Sequence, residues 1–185
     1  MGSWGTGIKQ SDAFADVYDT FFDRYNDGQN PVDIFEQIKK DFSEILENEE
    51  EKHEFWFALA LAQWETKCLD RNVLTTVENI ISTNADLRLW ENLGAPDSDL
   101  KKRKIALDKF LVLINSDRPK QKPRKKTKFY PPIYKDGDCI TFKLKNGNYG
   151  GAVILNYDSH PKIGHCLLVA TTRLNQKEKP TLDQF

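Results

Sequence analysis

The chain has 185 residues, 39% hydrophobic and 11% aromatic, enough for one medium domain or two small ones with modest cores. No apolar run approaches the roughly 18 residues of a membrane-spanning helix, and the start lacks the basic-then-apolar pattern of a secretory signal, so a soluble, cytoplasmic protein is expected. The near-neutral net charge of −1 hides a division. The first hundred residues hold 21 acidic and 8 basic side chains, and the remainder 7 acidic and 19 basic. Such asymmetry predicts two modules with different electrostatic surfaces.

The opening GSWGTG places Gly2, Gly5 and Gly7 around Trp4. A dinucleotide loop needs G-x-G-x-x-G after a strand, and a P-loop needs Gly-Lys-Ser/Thr; neither pattern is present. The stretch fits the loose myristoylation pattern, but a single acyl chain gives only marginal membrane binding. The architectural reading is that Gly5 and Gly7 let the backbone lie close to a helical core while Trp4 plugs into it.

Helices are expected throughout 11–116. Ser11 caps a first helix over 12–27, with Phe14, Val17, Tyr18, Phe21, Phe22 and Tyr25 on one face and Gly28 as terminator. Its opposite face carries Asp12, Asp16, Asp19, Asp23 and Asp27 within an arc of about 80°. Like charges at these spacings repel, and only Asp12 and Asp16 are favoured by the helix dipole. The stripe therefore reads either as a solvated face or as a binding face for a basic partner, which is external or the chain's own basic segment. Asp side chains along one straight helix do not converge on a metal ion.

Asn30-Pro31 starts a second helix running to about Leu46. The third, about 50–67, contains EFWFALALAQW, apolar on most sides, and so is expected at the centre. Helices at about 71–82, 85–92 and 99–115 follow. Glu54, Gln63 and Glu65 around the third helix read either as a hidden polar site or, the favoured reading, as lying on its exposed edge or in local hydrogen bonds.

After Ser116 the composition changes. Arg118, Lys120, Lys122, Arg124, Lys125, Lys126 and Lys128 put seven cations into eleven residues without an acid. This segment, 117–131, reads as an extended solvated linker between a helical domain, 1–116, and a small β domain, 132–185. With Phe129-Tyr130 it also suggests phosphate contacts and base stacking, although the acidic half opposes nucleic acid.

Beyond it, strands are expected at 139–144, 149–157 and 163–172. Asn146-Gly147 predicts a tight hairpin with positive φ at both residues, and Gly150-Gly151 a bulge or bend. The fold class is α+β: an all-α N-terminal domain, then a strongly bent antiparallel sheet, an SH3-like barrel or partial barrel. Its tail, KPTLD, reads as the start of a further element, so the β domain is expected to be incomplete.

Catalytic constellations are not recognisable. His53, His160 and His165 form no Ser/His/Asp, H-E-x-x-H or Cys/His arrangement, and Cys68, Cys139 and Cys166 are widely spaced. Hence no enzyme activity, cofactor or metal is expected.

Two stretches resemble bacterial families. Gly2, Trp4, Gly5, Gly7, Asp12, Ala13 and Asp16 match the opening G-x-W-G-x-G-x-F-x-x-D-x-A-x-D of an uncharacterised family with a helical domain, Ile8 standing where Phe is usual. Gly137, Asp138, Leu144, Gly147, Tyr149, Gly151 and Val153 match G-D-x-F-x-x-x-L-x-x-G-x-Y-x-x-G-x-V of an immunity-protein family from polymorphic toxin systems. The second resemblance implies a protein that binds and neutralises a cognate toxin. A nucleic-acid-associated adaptor, or an enzyme with an unrecognised site, is the alternative.

Overall fold

The computed structural model describes residues 5–126, 133–160 and 164–185. Trp4 and Lys128, both singled out above, lie outside the described residues. The chain divides into two compact units, Met1–Lys126 and Thr127–Phe185.

The first unit is helical: α1 Asp12–Asn26, α2 Pro31–Asp41, α3 Ser43–Glu47, α4 Lys52–Glu65, α5 Arg71–Ser82, α6 Ala85–Asn92 and α7 Asp97–Asn115. Ser11 caps α1, its hydroxyl accepting from the Phe14 N–H at 3.1 Å. Asn30 caps α2 through Val32 N–H, and Asp70 caps α5 through Asn72 and Val73. Helix α4 is central, packed against α1, α3, α5 and α7, and Phe55, Phe57, Leu59 and Leu61 are fully enclosed. An all-round apolar helix is stable only in such a position, because water on any side would expose part of it.

The single second helix expected over 31–46 is two. At Phe42 the backbone leaves helical values, with φ −110° and ψ 29°, and Phe42 closes α2 while opening α3. The bend lets half-buried Phe42 pack against the core and keeps Ile45 inside it.

The second unit is a three-stranded antiparallel sheet, β1 Cys139–Lys143, β2 Tyr149–His160 and β3 Gly164–Thr171, in the order β1-β2-β3. The protein is thus α+β, helical first and with a small sheet last. Among the described residues the sheet is open rather than closed into a barrel. The β1–β2 register pairs Cys139 with Val153 and Lys143 with Tyr149.

Two expectations about this sheet are corrected. Only Gly147 of the turn has positive φ, 83°, and the connection is longer than a two-residue hairpin. Asn146 instead accepts the Asn148 N–H and donates to Asn175, a side-chain alternative to the positive-φ turn. The register shift lies between Ile154 and Asn156, not at Gly150-Gly151. Those glycines serve close approach: a Cβ on Gly150 would meet Phe142 at 2.9 Å, and one on Gly151 would meet Phe185 at 2.6 Å. The tail returns over the sheet, bridging Tyr149 to Gln176, and ends in a short 3-10 turn, Leu182–Gln184, with a Thr181/Gln184 capping box.

Candidate functional site

Three features of the helical unit carry chemistry: the acidic ridge of α1, the basic segment after α7, and a charged cluster beneath an open cleft.

On α1 the stripe forms as expected. Asp16, Asp19 and Asp27 are exposed, and Asp12 and Asp23 half-buried. The side chains of Asp16, Asp19 and Asp27 make no hydrogen bond or ion pair among the described residues.

The basic segment up to Lys126 is tied to the helical unit at several points, although most of its residues stay exposed. Residues 118–126 belong to the helical unit and run along the other side of α1, over its aromatic residues. The Lys122 ammonium sits 4.2 Å from the centre of the Phe22 ring, donates to the Tyr18 hydroxyl at 2.8 Å and pairs with Glu65. Its backbone N–H donates to the Glu65 carbonyl, and its carbonyl accepts from the Tyr25 hydroxyl at 2.7 Å. Arg124 lies 4.5 Å from the Tyr25 ring centre and donates to the Tyr25 and Gln29 carbonyls. Those carbonyls stand at the C-terminal end of α1, where a cation is favoured. Lys125 N–H donates to the Asn26 side chain, and Arg118 stacks on Trp64 at 4.7 Å. Three cations of the segment thus lie against aromatic faces, and Arg124 adds bonds to backbone carbonyls, which a composition-based reading does not foresee. Lys120, Arg124, Lys125 and Lys126 remain exposed.

Burial would raise the Glu65 carboxyl, but hydrogen bonds from Lys122 and Tyr18, with the Lys122 charge, hold it below its usual range. Tyr18 is pushed far up, first by burial and then by its hydrogen bond to Glu65.

The cluster centres on Arg103, fully buried, which takes Asp86 in a two-pronged pair and donates to Glu54 Oε1 at 2.6 Å. A fourth bond goes to the Gly7 carbonyl at 3.3 Å. Trp90 lies over one face of the guanidinium at 4.8 Å and Phe57 at 5.7 Å. The opening glycines wrap a side chain here. Gly7 N–H donates to Gln10 Oε1 at 2.8 Å, and a Cβ on Gly5 would meet that oxygen at 2.5 Å. Gly5 and Gly7 thus lie close against the Gln10 side chain, and Gly7 presents its carbonyl to Arg103.

The cluster's charge is uneven. Two carboxylates, Asp86 and Glu54, face one guanidinium, and Glu54 Oε2 is buried with no hydrogen-bond partner. Burial is the main reason the Glu54 carboxyl is raised; the Arg103 charge opposes it and Asp86 adds to it. The Ser11 hydroxyl favours the charged form without reaching hydrogen-bond geometry to Oε2. His53, 3.8 Å from Asp86, does not supply the missing cation, because burial above all lowers its basicity and keeps it neutral. Burial raises the Arg103 requirement for partners too, and Asp86 and Glu54 meet it by holding the guanidinium firmly charged.

Above Glu54 opens a cleft of about 510 Å³, lined among others by Glu50, Glu51, Asp99, Trp90 and Leu93. Glu54, expected at an exposed edge, is thus a buried wall of this cleft, and Gln63 is also buried, accepting from the Asp70 N–H at 3.1 Å. The sequence did hold a signal for Arg103. It occupies the apolar stripe Leu100, Leu107, Phe110, Ile114, where a cation can stay only if paired.

In the β unit Gly147 and Gly151 take structural places, the turn and the contact beneath Phe185. Among the described residues no helix is long and apolar enough to cross a membrane, and no group of three or more metal-ligating side chains is gathered. Compared with known proteins, the chain matches no family model, no curated protein and no solved structure.

Proposed function

We propose that the protein is a bacterial immunity-type protein that acts in the cytoplasm by binding and neutralising a cognate toxin. The observation that carries this reading is the open acidic ridge. The chain's own cations at Lys122 and Arg124 engage the aromatic side of α1, while Asp16, Asp19 and Asp27 stay exposed. Such a ridge attracts a basic protein surface and raises the association rate more than the final affinity. The toxin-immunity motif over 137–153 supports the same reading from the second unit. The nucleic-acid alternative has fewer cations to draw on, because Arg118, Lys122 and Arg124 engage groups of the helical unit.

The test is association kinetics with the toxin domain encoded beside this gene. Replacing Asp16, Asp19 and Asp27 together by Asn is expected to slow capture about tenfold or more at low salt and to flatten its salt dependence. Unchanged kinetics would remove the ridge from the interface, and absence of any complex would remove the toxin reading.

A further inference from the structure

We infer that the C-terminal ends of α1 and α4 form a groove that binds a Lys-x-Arg segment of a protein partner, and that Lys122-Pro123-Arg124 fills it in the free chain. The groove lies wholly within the helical unit. Residues 118–126 are laid on that unit as a bound peptide is. They form no helix or strand, add no residue to the hydrophobic core, and stay mostly exposed. Such a segment opens before the core does, and its departure leaves the helix packing in place.

Two helix ends set what the groove takes. Glu65 is the last residue of α4 and Asn26 the last of α1, and a helix C-terminus carries partial negative charge and orphan carbonyls. Lys122 meets the α4 end. Its ammonium pairs with the Glu65 carboxylate and lies 4.2 Å from the Phe22 ring centre, and its N–H donates to the Glu65 carbonyl at 2.8 Å. Arg124 meets the α1 end, at the Tyr25 and Gln29 carbonyls and the Tyr25 ring. The main chain is read as well, since the Tyr25 hydroxyl donates to the Lys122 carbonyl and the Asn26 side chain accepts from the Lys125 N–H. Recognition thus needs two cations two residues apart, plus groups that any peptide has. Pro123 between them is exposed, so its place is open to other residues.

The inference deepens the toxin reading by naming what the partner inserts, and it rests on that reading only for the partner's identity. An incoming segment competes with one held at high effective concentration by a short tether. Exposed Asp16 and Asp19 on the same helix supply the advantage, because they attract the basic surface that carries the segment.

The experiment titrates a capped, fluorescent peptide with the sequence of residues 118–126, RPKQKPRKK, into the full chain and follows anisotropy. Saturable binding is expected to Lys122→Ala/Arg124→Ala, in which the groove is vacated. Binding at least about tenfold weaker is expected to the wild type, whose own segment competes. A shuffled peptide of equal charge without the Lys-x-Arg spacing, RRPPQKKKK, is expected to bind the variant several-fold more weakly, and adding Glu65→Gln to the variant is expected to weaken the native-order peptide likewise. No saturation with the variant, equal binding by variant and wild type, or equal binding of the two peptides would overturn the groove. With the toxin domain encoded beside this gene, capture is expected to speed proteolysis within 118–126 of the wild type. A complex formed without that change overturns the exchange, whereas the absence of any complex removes the toxin reading and leaves the peptide titration to decide the groove.

Discussion

Arg103 and Asp86 meet in a two-pronged pair, Nε to Oδ2 at 2.8 Å and Nη2 to Oδ1 at 2.9 Å, and both side chains are almost wholly enclosed. This pair ties α7 to α6, and through Glu54 to α4. Removing one partner of a buried pair leaves the other charge without compensation, which costs about 3–5 kcal/mol. Arg103→Ala leaves two such carboxylates. It is expected to cost the helical unit at least that much in chemical denaturation followed by far-UV circular dichroism. A loss below about 1 kcal/mol would mean that water replaces the guanidinium.

The basic segment holds to the helical unit through side chains and backbone together. Lys122→Ala with Arg124→Ala removes three cation–aromatic contacts and the donors to the Tyr25 and Gln29 carbonyls. We expect a loss of about 1–3 kcal/mol and much faster limited proteolysis within 118–126. Proteolysis already equally fast in the wild type would show that the segment is free in solution.

The glycines of the β unit separate two physical effects. Gly147→Ala places a side chain at φ +83° with nothing nearby to clash, so only backbone strain of about 1 kcal/mol is expected. Gly151→Ala drives a methyl against the Phe185 ring at 2.6 Å and Leu174 at 3.0 Å, and must displace the tail or lose about 1–3 kcal/mol. Deleting Phe185 alongside Gly151→Ala is expected to relieve part of that loss. Thermal unfolding of the three variants distinguishes the cases, and additive effects would place the clash elsewhere.

The Lys122–Glu65 contact links stability to acid. Glu65 titrates below its ordinary value of 4.5 in the folded chain, so the unfolded chain binds the proton first as pH falls. Its contribution is therefore complete above pH 4.5 and is lost as pH falls through the folded value. Glu65→Gln removes that dependence. The difference in stability between wild type and variant is expected to shrink steadily on acidification below pH 4.5, measured by urea unfolding. A constant difference would separate Lys122 from the carboxylate.

How far the fold could be read from residues alone varies by element. Ser11 and Gly28 bounded α1, the all-round apolar EFWFALALAQW marked the central helix, and Asn-Gly located the β1–β2 connection. Capping, periodicity and turn chemistry are local, and local order survives without knowledge of the partner surface. What lay beyond that reach involved distant residues: Lys122 on Tyr18 is separated by 104 positions, and Arg103 on Gly7 by 96.

By itself the sequence determined the α+β order, the placement of the helices apart from the break at Phe42, and the acidic stripe of α1, because each depends on neighbours within a few turns. Only the tertiary structure decided that Arg118, Lys122 and Arg124 of the basic run lie against aromatic rings. It also decided that Glu54 lies inside, on the wall of a cleft and bonded to Arg103. The reason is physical. A charge run or a lone carboxylate has the same composition in water as against a ring or a guanidinium, and burial, which separates the two, is a property of the packed chain.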